Sequence, residues 1–151
     1  MNEKNEKSAE ETATSSRCAC LNLRQAARAI TQLYDEALRP TGLRATQLAV
    51  LGTAKGSPCI SVCKLAELLV LDRTTLTRNL KPLEKRGLIR VETCDDRRTR
   101  SICITDEGSE VLAQAIPLWE AIQQRVVGEL GLQRYDRLVD DLTETVRIAQ
   151  T

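Results

Sequence analysis

A mainly α-helical fold carrying one small β-hairpin is what the sequence predicts, on three observations. Apolar residues recur at helical spacing along most of the chain. Between Ile89 and Ile104 the pattern changes to a period of two on both sides of a polar turn. Breakers at Gly42, Gly56-Ser57-Pro58, Gly87 and Gly128 with Gly131 cut the helical pattern into segments.

The stretch from Asp72 to Thr105 carries the chemistry. Asp72 is placed to cap a helix of about four turns, and Gly87 supplies the left-handed residue that ends one. Leu76, Leu80 and Leu83 share one face of it, while Arg73, Thr74, Thr77, Arg78 and Lys81 fall largely on the other. Beyond Gly87, Ile89 and Val91 alternate with Arg90 and Glu92, and Ile102 and Ile104 alternate with Ser101 and Cys103, which describes a hairpin with one buried face. From Asp72 to Arg100 there are nine basic and five acidic residues, a net of +4, whereas Thr105 to the end has four basic and nine acidic, a net of −5. The total of +1 hides this separation. A helix with an Arg/Thr/Asn face followed by an arginine-tipped hairpin suits double-stranded DNA, the helix entering a major groove and the hairpin reaching phosphates or a narrow minor groove. The residues expected at DNA are Arg73, Thr74, Thr75, Thr77, Arg78 and Asn79 in the groove, with Arg97, Arg98 and Arg100 in the wing. Each equally suits a solvated helix or hairpin face.

The remaining elements follow in order. Residues 1–16 are polar, hold four Glu against two Lys, and read as a disordered tail. Leu23, Ala26, Ala27, Ile30, Leu33, Ala37 and Leu38 stripe a first helix, ended by Pro40 and Gly42. A second helix covers Arg44 to Ala54, and Ser61 caps a short third through Leu69. Together with the Asp72 helix this is a helix-turn-helix. Pro82 is expected to bend the reader helix near its C-terminal end. Thr105 caps a further helix striped by Leu112, Ile116, Trp119, Ile122 and Val126, and Gly128 with Gly131 brackets a break. Tyr135, Leu138, Val139, Leu142, Val146 and Ala149 stripe the last helix. Residues 41–105 are thus a winged helix-turn-helix DNA-binding domain, and 17–40 with 106–151 are dimerisation helices that need a partner surface.

Composition removes several classes. With no Phe, one Trp and two Tyr, the chain lacks the stacking platforms of single-stranded nucleic-acid binders. No apolar run approaches the roughly 18 residues of a membrane span, and the N-terminus has no signal-peptide pattern, so a cytoplasmic protein is expected. There is no histidine and no Gly-rich phosphate loop, so no cofactor or resident metal is expected. Six cysteines are many for this length. In a reducing compartment, thiol or soft-metal chemistry is a better reading of them than structural disulfides. Cys59 and Cys63 are four apart, and Cys94 and Cys103 flank the wing turn, so each pair could meet; Cys63 and Cys103 are expected to pack as small hydrophobes. Cys18-Ala19-Cys20 opens the first helix, where the N-terminus and the nearby Arg17 and Arg24 favour thiolates.

Leu76-Thr77-Arg78-Asn79-Leu80, Leu83-Glu84, Gly87-Leu88-Ile89, Asp96-Arg97-Arg98 and Ile104-Thr105-Asp106-Glu107-Gly108, in this order, resemble the winged helix-turn-helix of the MarR family of bacterial transcriptional regulators. The resemblance runs from about Cys18 to the C-terminus. It implies a homodimeric regulator of a pseudo-palindromic operator, here read as a repressor, and a partly structural Arg97 paired with a carboxylate such as Asp96. It also places Cys20 where the organic-hydroperoxide-sensing branch carries its reactive cysteine, and Tyr34 on one of the tyrosines that attend it. Arg24 stands where those proteins have a second tyrosine.

Release from DNA by oxidation of Cys20, with Cys18 as a neighbouring thiol, is therefore one expectation. A phenolic or aromatic effector, or a soft metal, is the alternative. Two other classes fit the sequence less well. A thiol-dependent redox enzyme built on Cys18 and Cys20 lacks a thioredoxin-like setting and a histidine base, and a protein-binding winged module would favour aromatic anchors that this chain lacks.

Overall fold

The computed structural model describes residues 17–93 and 100–150. Six α-helices and a three-stranded sheet follow one another among them. Helix α1 spans Ala19–Leu38; Pro40 then holds the chain in a single 3-10 turn, Arg39–Thr41, and Gly42 at φ +67° redirects it. Helix α2, Ala45–Lys55, begins where side chains accept the free N–H groups of a helix start: Asp35 Oδ1 takes that of Ala45 at 2.7 Å and Gln47 Oε1 that of Arg44 at 3.0 Å. Strand β1 is Ile60–Ser61, and α3, Val62–Leu68, is capped by Ser61 Oγ, which accepts from Lys64 N at 3.1 Å. Helix α4, Arg73–Lys85, carries the Asp72 cap, with Oδ1 accepting from Thr75 N at 2.9 Å. Strands β2, Ile89–Thr93, and β3, Arg100–Ile104, form the wing. Helices α5, Asp106–Leu130, and α6, Leu132–Ala149, complete the chain.

The hairpin forms where the alternation places it; its register sets Ile89 opposite Ile104 and Val91 opposite Ile102, so that Arg90, and not Cys94, stands opposite Cys103. Strand β1 was not foreseen. It pairs antiparallel with β3, Ile60 opposite Ile102, and gives the sheet order β1-β3-β2. Two residues are too few to show a period, so only the tertiary fold makes them a strand. The break expected between Gly128 and Gly131 falls at the far end of that bracket. Helix α5 passes through Pro117 and Gly128, and the chain turns only at Gly131, φ +79°.

One core serves the winged region. Leu76, Leu80 and Leu83 from α4 pack with Val50, Leu51 and Ala54 from α2, Leu65 from α3, and Ile89 and Ile102 from the wing. Leu38 of α1 and Leu112 and Ala115 of α5 belong to the same cluster, so packing continues across positions 40 and 106 into both flanking helices.

The junction after the reader helix is built tightly. Gly87 takes φ +71°, and Thr105 donates its hydroxyl to Gly87 O at 2.6 Å and its N–H to Leu88 O at 3.1 Å. Thr105 Oγ1 also accepts from Gly108 N at 3.0 Å, capping α5. A Cβ at Gly108 would lie 2.0 Å from Leu88 O, so only glycine lets α5 start this close to the wing root. That is a physical account of the Thr105-Asp106-Glu107-Gly108 pattern. Arg86 adds a clamp, its guanidinium donating to Gly42 O at 2.8 Å and Thr41 O at 3.1 Å. Among the described residues, no helix is long and apolar enough to cross a membrane.

Candidate nucleic-acid interface and thiol sites

The amphipathic pattern of α4 resolves into two faces. Leu76, Leu80 and Leu83 are buried, which turns Arg73, Thr74, Thr77, Arg78 and Lys81 outward, all exposed. Arg73, Arg78 and Lys81 have no carboxylate partner among the described residues, so their charge is available to a ligand. A shallow groove runs along Arg73, Thr74, Thr77, Arg78 and Lys81. A second concavity, about 240 Å³, lies between helix and wing, where Arg73, Thr77 and Lys81 of α4 face Arg100 of β3. Two elements far apart in sequence therefore present cations to one space. Arg97 and Arg98, with Asp96, lie outside the described residues.

The hydroxyls are less free than the helix face suggests. Thr75 donates to Asp72 Oδ2 at 2.6 Å, and Thr77 donates to Arg73 O at 2.7 Å. Thr75 thus completes the cap and is half-buried, as is Asn79. The Thr75 hydroxyl, followed by its backbone N–H, holds the Asp72 carboxyl below its ordinary value.

Cys18 and Cys20 are exposed thiols at the start of α1, and Arg24, also exposed, is one helical turn beyond Cys20. Tyr34 is fourteen residues further along the same helix, roughly 21 Å along its axis, so one chain does not bring it to Cys20. Its hydroxyl instead donates to Gln123 Oε1, and Gln123 Nε2 donates to the Tyr135 hydroxyl, linking α1, α5 and α6. Burial, and then the neighbouring Tyr135, push the Tyr34 phenol up, so it stays protonated at neutral pH. Tyr34 also lines an apolar cavity of about 390 Å³ with Leu48, Lys55, Leu112, Ile116 and Trp119, between α1, α2 and α5.

The remaining thiols correct the expectation from spacing. Cys103 is bonded neither to Cys94, which lies outside the described residues, nor held as a free hydrophobe; it forms a disulfide with Cys59, 44 residues away, with Cα atoms 4.3 Å apart. Continuing the register from Ile60 opposite Ile102 brings residue 59 opposite 103, and that separation suits a non-hydrogen-bonded antiparallel pair. The pairing needed β1, which local pattern does not reveal. Cys63 is exposed and free. Glu92 joins the pair: its carboxylate oxygen and the two sulfurs lie within 4.8 Å of one another, a group of donors that would suit a soft cation if the sulfurs were reduced.

The family model for the MarR family matches residues 43–99, from the end of the α1–α2 turn to just before strand β3 of the wing. The transcriptional regulator HosA of Escherichia coli O157:H7 is 33% identical over 94 residues, 62% of this chain and 70% of HosA. The chain belongs to the MarR family. Like its MarR-family relatives it is a transcriptional regulator rather than an enzyme. Solved structures agree with that assignment over nearly the whole length. The Mycobacterium tuberculosis transcriptional regulator MOSR, in complex with DNA, is 37% identical with a TM-score of 0.79, covering 89% of this chain and 100% of MOSR. The transcriptional repressor CouR, bound to a 23-mer DNA duplex, is 26% identical with a TM-score of 0.78, covering 87% of this chain and 94% of CouR.

Proposed function

We propose that this MarR-family regulator acts in the bacterial cytoplasm as a homodimer that binds a pseudo-palindromic, double-stranded operator and represses transcription until a signal releases it. The observation that carries this reading is the exposed face of α4: Arg73, Arg78 and Lys81 have no carboxylate partner among the described residues, and Arg73 and Lys81 share with Arg100 of the wing a concavity that Glu84 also lines. Residues 41–105 form the DNA-binding unit. Arg73, Thr74, Arg78 and Asn79 read the major groove, assisted by Thr77 and Thr75, and Arg97, Arg98 and Arg100 follow the adjacent backbone or minor groove. Dimerisation is supported by faces that one chain leaves open: no residue of α6 is buried, and Leu138, Val139, Leu142 and Val146 form one exposed stripe on it. Residues 17–40 and 106–151 of two copies would cover these faces and set two α4 helices about one helical turn of DNA apart, roughly 34 Å.

Fluorescence anisotropy with the DNA upstream of the protein's own gene tests this. Binding should weaken steeply with salt, and Arg100→Ala should weaken all sequences alike and reduce the salt slope by about one. Arg78→Ala should instead relax preference at one base position. Salt-independent binding, or none, would remove the DNA reading.

Release by hydroperoxide through Cys20, with Cys18, Arg24 and Tyr34 as the surrounding groups, remains the proposed signal. Because Tyr34 is far from Cys20 along α1, any direct meeting of the two would be between subunits. Operator affinity that collapses on oxidation in the wild type and persists in Cys20→Ser would support it; indifference to oxidant with Cys20 unmodified would remove it.

A second reading rests on the cavity of about 390 Å³, whose mostly apolar walls include Tyr34 and Lys55. A small phenolic or aromatic acid fits that chemistry. Trp119, the chain's one tryptophan, lines it, so titration with 4-hydroxybenzoate should quench the fluorescence of Trp119 if this is an effector site.

A further inference from the structure

The Cys59–Cys103 bridge has no part in the interface or in the Cys20 signal. Its two residues differ in access: Cys59 is exposed, whereas Cys103 is 2% exposed. The bridge also joins two elements that no other covalent link holds together, the residue before β1 and strand β3 of the wing. Two positions further on from Cys59, Ser61 caps α3. In a reducing compartment, disulfides are as a rule transient and redox-active rather than permanent staples.

We propose that Cys59 and Cys103 are a second oxidant-reactive thiol site, taking hydroperoxides as substrate, with Cys59 as the attacking and Cys103 as the resolving sulfur. The cytoplasmic reading above underlies this, but the chemistry does not depend on DNA. The Cys59 thiolate attacks an oxygen of ROOH; the O–O bond breaks, and the departing alkoxide leaves as ROH with the proton given up by the thiol. Cys59 becomes a sulfenic acid. Cys103 sulfur then attacks Cys59 sulfur, the S–O bond breaks, and hydroxide departs as water with the Cys103 proton. Two thiols and one hydroperoxide yield one disulfide, one alcohol and one water. Reduction runs through the same, more exposed residue: an incoming glutathione thiolate attacks Cys59 and expels Cys103.

The order of reaction follows from access, and the register makes the closure fast. The partner sulfurs sit on directly opposed positions of paired strands, so a sulfenic acid at Cys59 forms beside its resolving thiol with no rearrangement of the sheet. The site is separate from the Cys18–Cys20 pair, which opens α1.

The test uses the full chain with Cys18, Cys20, Cys63 and Cys94 changed to Ser, reduced by glutathione and then given one equivalent of cumene hydroperoxide. The expected result is opening of the bridge by glutathione, then loss of both thiols and a 59–103 linked peptide. With Cys103→Ala added, dimedone should label Cys59 as the trapped sulfenic acid; with Cys59→Ser instead, thiol loss should be about tenfold slower or more. Peptide mapping of the wild-type chain under the same treatment gives the same readout should the multiple variant fail to fold. A bridge that glutathione cannot open, thiols that survive the hydroperoxide, or dimedone labelling of Cys103 ahead of Cys59 would overturn the proposal. Operator binding is measured separately on the same samples, so failure of the thiol chemistry and failure of the DNA reading are distinguishable.

Discussion

The winged region and the terminal helices solve the same packing problem in opposite ways. In the winged region most apolar side chains find a partner inside the chain, Leu68 and Val70 being exposed exceptions: Leu76 and Leu83 of α4 are fully buried against α2, α3 and the wing. In α6 the apolar stripe finds none, and Leu142 and Val146 are each 40% exposed. Both elements have similar amphipathic patterns in sequence. A helix stripe reports only that a surface will be covered, and whether the cover comes from the same chain or from a second copy is decided by where the fold places it.

The sharpest way to break this contrast is charge on the open stripe. Leu138→Glu with Leu142→Glu should leave a folded monomer and cost the two-site avidity of the dimer, on the order of a hundredfold or more in operator affinity. Sedimentation and anisotropy on one sample check both halves of that expectation. A variant that stays dimeric would show that another face holds the subunits.

A truncation in the closed region should act differently. Leu76→Ala removes a fully buried side chain and should destabilise the fold by roughly 2–5 kcal/mol. The loss should appear in urea denaturation and be independent of protein concentration, whereas Leu142→Ala should show its effect mainly as a concentration-dependent midpoint.

The bridge between β1 and β3 sharpens the contrast within the winged region itself. Closing a loop of 44 residues constrains the unfolded chain by roughly 2–4 kcal/mol, so reduction should lower the melting temperature by several degrees while the helical content measured by circular dichroism is unchanged. A melting temperature indifferent to reductant would mean that β1 is held by packing alone.

The smallest effect expected is acid-dependent. Asp72 has a folded-state pKa below its unfolded value, so its capping contribution is present above the unfolded pKa, near 3.9, and fades as pH falls through the lower folded value. Asp72→Asn keeps an N-cap acceptor but cannot titrate. Its stability should therefore lack this part of the wild type's decline in acid, measured by urea denaturation at a series of pH values down to 3. Because Asp72 is fully exposed, the difference should be slight.

The elements most readable in advance were those whose information is local. Asp72, Ser61 and Thr105 each carry a side-chain acceptor immediately before an apolar helical stripe, and each caps the helix expected of it. That a hairpin forms followed from the alternation of Ile89, Val91, Ile102 and Ile104, whereas its register came from the fold. Local pattern could not reveal β1, whose two residues have no period, nor therefore the meeting of Cys59 with Cys103. Nor could it say which of Gly128 and Gly131, the pair bracketing the last break, turns the chain: a single glycine lowers helix propensity by about 1 kcal/mol, and α5 runs on through Gly128 to turn at Gly131. On the interface, the exposure of Arg73, Arg78 and Lys81 was legible from the positions of Leu76, Leu80 and Leu83, whereas the commitment of the Thr75 and Thr77 hydroxyls was not.

The sequence alone shows which segments are helices, where α3, α4 and α5 are capped, which face of α4 carries cations, and that the wing is a hairpin. These depend on neighbours within a few residues, and hydrogen-bond geometry makes such neighbours predictable. Only the tertiary structure decided that Arg100 shares a concavity with Arg73 and Lys81, that Tyr34 is tied to Gln123 and not to Cys20, and that Cys59 closes on Cys103. Each of these joins residues separated by tens of positions, and their meeting depends on how whole elements pack around one core, information that no local period contains.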